Sequence, residues 1–145
     1  MLPVAIGSSD NPICFQVDVL YDGVSFTTEP AVTGGAAGGH AVASSEINIG
    51  RRRLVVYSED NAVLGDGIVV EIPFNLNAGR TGGFTVVDLA EIIAAGPAGD
   101  PITPFMVATG FVEEKMKVPV FSGLTLSESG ELRFTFSGID SVTYR

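Results

Sequence analysis

The sequence predicts an all-β chain, a two-sheet antiparallel sandwich followed by an extra C-terminal β-hairpin. Three observations carry this expectation. Apolar and polar residues alternate in short segments, β-branched and aromatic types crowd those segments, and turn formers separate them at regular spacing. In Phe15-Gln16-Val17-Asp18-Val19-Leu20-Tyr21-Asp22, the residues Phe15, Val17, Val19 and Tyr21 share one face, and Gln16, Asp18 and Asp22 the other. From Ile68 to Asn77 the alternation runs for ten residues, placing Ile68, Val70, Ile72, Phe74 and Leu76 inward. Pro73 lacks a ladder donor, so an edge position or a bulge is expected there.

Arg53 to Ser58 is a further strand by composition, and Leu132, Phe134 and Phe136 alternate with polar residues in another. Turns are expected at 7–12, 61–67, 77–83 and 127–130, where Gly, Asn, Asp, Ser and Pro gather. Residues 87–94 suit a strand that breaks into a turn or short helix before Gly96-Pro97. The tract Thr33 to His40 is Gly- and Ala-rich, and reads as a mobile surface loop.

The chain's 145 residues suffice for one domain with a sizeable core, and the 46% apolar and 17% charged content is that of a folded protein. A change of character at Lys115-Met116-Lys117 divides it into a sandwich, residues 1–117, and a terminal part, residues 118–145. Leu124 to Leu126 and Leu132 to Phe136 flank a Ser-Gly turn, which predicts the hairpin. A hairpin alone is marginally stable in water, so it must pack, pair with another chain, or begin a further domain.

Seventeen acidic against eight basic residues give a net charge of −9, which disfavours nucleic acid and anionic lipid as partners. No segment has the length and apolarity of a membrane span, and no signal peptide is present in this chain. Cys14 is the sole cysteine and reads as a small, partly buried apolar residue. His40, the sole histidine, has no nucleophile pattern beside it and reads as a solvated loop residue. The acid pairs Glu59-Asp60 and Glu113-Glu114 point to opposite faces when extended, so they cannot flank one bond as glycosidase acids do. No enzymatic activity is expected. Asp60, Asn61 and Asp66 are weak candidates for calcium, their spacing not being that of an EF-hand; no other cofactor is expected. Arg51-Arg52-Arg53 is the only basic run, expected to decorate a strand start or pair with acidic neighbours.

Three stretches in order resemble cohesin modules: Phe15 to Asp22, ending in Leu-Tyr-Asp; Arg53 to Asp60, a strand running into an acidic loop; and Gly65 to Phe74, an Asp-Gly turn and long strand. The resemblance covers roughly residues 3–112. It implies a nine-stranded jelly-roll sandwich serving as a non-catalytic, extracellular or cell-surface protein-binding module of a larger protein. The implied partner is a dockerin-like module, with contacts from Gln16, Asp18, Glu59 and Asp60. Cohesins carry polar Asn and Asp contacts where Cys14 and Gln16 stand, and Glu59 matches the acidic residue after the second motif. Another copy of the chain is an alternative partner, through strand exchange. A polysaccharide is a weaker one, because the chain has no Trp and three Tyr. Cohesins also open with a strand that precedes Leu2 to Ile6 here, so the first strand is expected to be missing and its gap filled by residues 118–137, in the chain or from a neighbour.

Overall fold

The computed structural model describes residues 1–7, 11–80, 82–102, 106–114, 120–126 and 132–137. The expected turns at 8–10 and 127–130, the boundary at 115–118 and the last residues lie outside them. Fourteen strands are described: β1 (Leu2–Gly7), β2 (Cys14–Leu20), β3 (Phe26–Thr28), β4 (Val32–Thr33), β5 (Ala41–Asn48), β6 (Arg51–Tyr57), β7 (Gly67–Ile72), β8 (Phe74–Leu76), β9 (Gly83–Val86), β10 (Asp88–Ala95), β11 (Met106–Ala108), β12 (Phe111–Glu114), β13 (Val120–Leu126) and β14 (Leu132–Ser137).

Two four-stranded sheets form the sandwich, one ordered β11-β1-β7-β4 and the other β10-β2-β6-β5, with antiparallel pairing in both. The core lies between them. Leu2, Val4 and Ile6 of β1 and Val70 and Ile72 of β7 meet Phe15, Val17 and Val19 of β2 and Leu54 and Val56 of β6, all buried. This is the period-two burial that alternation in the sequence demands. Short ribbons β3-β8 and β9-β12 extend the sandwich, and β13 pairs with β14 as the expected hairpin.

The ten-residue run from Ile68 is two strands, because Pro73 ends β7 and the chain moves to β8, which pairs with β3. Ile68 is exposed where an inward position was expected. A register shift between Val4 and Ala5 of β1 pairs Ile68 with Ala5 in place of Ile6, turning it off the inner face. Residues 88–95 form a single strand; its irregularity is a bulge between Ala90 and Ile93, with Glu91 at a φ of 50°.

β1 pairs with β7 on one side and with β11 on the other, from Ala5 to Gly7, and the Thr109 hydroxyl donates to the Pro3 carbonyl at 3.2 Å.

The Gly-rich tract is also packed. Gly35–Ala37 forms a 3₁₀ turn with Ala37 buried in the core cluster, and Gly34 N–H donates to Val69 O at 2.9 Å. A Cβ on Gly34 would lie 2.4 Å from Ile68 O, so only glycine lets the tract lie on β7. His40, expected in solvent, is buried: Nδ1 lies 2.6 Å from Ala37 O and Nε2 2.9 Å from Ala62 O. Two loops are tied together by one ring.

Candidate functional site

Side chains directly opposite one another in a paired register share a face. On the outer face of the β10-β2-β6-β5 sheet, one row therefore reads Ala43, Val55, Gln16 and Ile93, and the next Ser45, Arg53, Asp18 and Ala90. Apolar groups stand open along it: Ile93 is 58% exposed, Ile47 45% and Tyr57 41%. A hollow of about 350 Å³ beside Arg53 is lined by Ala43, Ser44, Ser45, Ile47, Arg53 and Val55.

Asp18 sits at the centre of this face with no exposed surface. Its Oδ1 accepts from Arg53 Nε at 2.6 Å, and its Oδ2 from Arg53 Nη2 at 2.9 Å and Arg51 Nε at 2.7 Å, with Arg51 Nη2 bonded to the same oxygen. The Arg53 hydrogen bond, aided by Arg51 and opposed by burial, holds the Asp18 carboxyl below its ordinary value, and Asp18 raises that of Arg53. The arginines remain 30% and 37% exposed. Asp18 was expected to meet a partner directly. It is covered instead, because β6 places Arg53 opposite it, and the arginines form the surface.

Arg52 points the other way, into the sandwich. Its Nε donates to Thr28 Oγ1 at 2.7 Å, Nη2 to Thr28 O at 3.0 Å and Nη1 to Ser44 Oγ at 3.3 Å. Alternation within Arg51-Arg52-Arg53 could have shown that one of the three faces inward. Among the described residues no buried side-chain nitrogen or oxygen lacks a partner.

Gln16 lies half-buried mid-face, between Val55 and Ile93 in register. Glu59 and Asp60 are exposed at the end of the face, where they line a second hollow of about 410 Å³ with Tyr57 and Ala41. Asp60 Oδ1 accepts from Ser58 Oγ and from Ala62 N–H at 3.2 Å, bonds that lower its pKa, the serine's contribution being the larger. Asn61 follows in the left-handed region at a φ of 56°, and Asp66 stands exposed in the turn before β7. Among the described residues no three His, Cys, Asp or Glu side chains are placed to hold a metal ion. Nor is any described helix long and apolar enough to cross a membrane. Cys14 is half-buried at the start of β2.

No family model and no curated protein matches the sequence. Solved structures do match its fold. The sixth cohesin of the Acetivibrio cellulolyticus scaffoldin B, solved with a bound dockerin, is 17% identical over 70% of this chain and 79% of that one, with a TM-score of 0.58. A non-cellulosomal cohesin from the archaeon Archaeoglobus fulgidus is 15% identical over 71% and 72%, with a TM-score of 0.58. A cohesin module of a Clostridium perfringens family 33 glycoside hydrolase is 14% identical over 76% and 84%, with a TM-score of 0.56. The chain is thus a cohesin-like β-sandwich in fold.

Proposed function

We propose that this domain is a non-catalytic, extracellular protein-binding module of a larger protein, and that it holds its partner on the outer face of the β10-β2-β6-β5 sheet. One observation carries the reading. The face combines uncovered Ile93, Ile47 and Tyr57 with two arginines pre-ordered by a buried carboxylate, a cost in side-chain freedom already met before any partner arrives. Structures of like fold include cohesins solved with dockerins, so a dockerin-like module is the partner class of first choice. The single histidine is buried against the Ala37 and Ala62 carbonyls, a position that suits a structural tie between two loops.

The test is capture from the secreted proteins of the source with wild-type and Val55→Asp baits, followed by titration of the recovered domain with and without a calcium chelator. A protein held by wild type and lost by the variant supports the reading. Equal retention by both baits contradicts it.

A further inference from the structure

We propose that the partner presents a carboxylate, from an Asp or Glu flanked by aliphatic side chains, to the Arg51–Arg53 pair. This rests on the reading of the outer sheet face as the docking surface.

Each guanidinium has five N–H donors in a fixed fork. Arg51 and Arg53 both spend the Nε and Nη2 edge on Asp18. The opposite edge of each, Nη1 with the second Nη2 hydrogen, has no hydrogen bond to a described residue, and both side chains reach solvent. Two positive groups share one carboxylate, so the pair keeps an excess positive charge within a chain of net charge −9. Glu91, on the β10 bulge, adds to the field on Arg53. Among the described residues, however, the only ion pairs are the two on Asp18. A second carboxylate fits that free edge with the bidentate geometry guanidinium favours.

The chemistry beside it selects the rest of the ligand. The hollow next to Arg53 is walled by Ala43, Ile47 and Val55, which suit an aliphatic side chain. A sugar acid would want aromatic platforms and many hydroxyl partners, and those two rows carry no aromatic; Tyr57 stands beyond them, opposite Ala41 at the end of the face. Because buried Asp18 fixes both forks, the receptor is pre-ordered and little rotamer freedom is lost on binding. The polarity is specific: an incoming Lys or Arg would meet guanidinium edges and be repelled.

A peptide-display library selected on the whole chain tests this. Val55→Asp and Arg53→Lys serve as counter-targets, each first shown by circular dichroism to keep the sheet signal. The expected binders share an Asp or Glu beside Leu, Ile, Val or Ala, lose about tenfold or more in affinity to Arg53→Lys, and lose as much when their own acid becomes an amide. Binders that fail on Val55→Asp but carry Lys, Arg or no charge would overturn the carboxylate assignment and leave the docking face standing. Binders indifferent to both variants, or sugar acids that bind where peptides do not, would overturn the docking face as well.

Discussion

Asp18 and Arg53 stand directly opposite one another on β2 and β6, and their side chains meet on the outer face with Oδ1 2.6 Å from Nε. The register makes the ion pair a cross-strand contact, and Arg51, two residues away on the same face, closes over the second oxygen. Replacing Asp18 with Ala leaves two arginines facing each other without their anion. The cost is about 1–3 kcal/mol, below that of a wholly dry pair because both arginines touch water. Urea unfolding of wild type and variant measures it.

The same carboxylate sets an acid limb. Its folded-state pKa lies below the unfolded value of about 3.9. The stability it contributes is fully present above that value and is lost as pH falls through the lowered one. Unfolding free energy followed from pH 6 downward will fall less steeply below about pH 4 in Asp18→Asn than in wild type. Parallel acid limbs would contradict the assignment.

Arg52 is held by geometry that lysine cannot copy, since three different guanidinium nitrogens reach Thr28 Oγ1, Thr28 O and Ser44 Oγ. Arg52→Lys is expected to lose about 1–3 kcal/mol, while Arg51→Lys, at a side chain 30% exposed, loses less. Thermal melts of the two single variants, side by side, decide the order.

Adjacent glycines give a sharper contrast. An added Cβ at Gly34 meets the Ile68 carbonyl at 2.4 Å, whereas at Gly35 nothing lies within 4 Å. Gly34→Ala should cost about 1–3 kcal/mol or more through overpacking, and Gly35→Ala should be neutral or slightly stabilising. Equal effects would show that the tract does not rest on β7.

His40 ties the 34–40 tract to the 58–65 loop through Ala37 O and Ala62 O. His40→Ala removes both contacts, with an expected loss of about 1–3 kcal/mol and faster amide exchange in both loops. Exchange that rises in one loop alone would mean the ring does not bridge them.

The sandwich was legible because its core obeys a simple period: Phe15, Val17 and Val19 alternate in the sequence and are buried in the structure. What escaped depends on contacts distant in sequence. Nothing local to Asp18 shows that Arg53, 35 residues on, pairs with it, so a polar outward residue is buried beneath two arginines. His40 looked solvated because its neighbours are glycines, yet those glycines permit the close packing that buries it. The β1 register shift and the break at Pro73 divide a continuous alternating run, and only Pro73 announced itself. The free guanidinium edges emerge from side-chain geometry, which strand periodicity alone does not fix.

The proposed docking of a protein partner on the outer face of the β10-β2-β6-β5 sheet has a direct readout. Amide exchange by mass spectrometry, on the chain with and without the domain recovered by capture, tests it most directly. Protection is expected to concentrate in residues 14–20, 41–57 and 88–95. Protection confined to β1, β7 and β4, or to the β9-β12 ribbon, would contradict it.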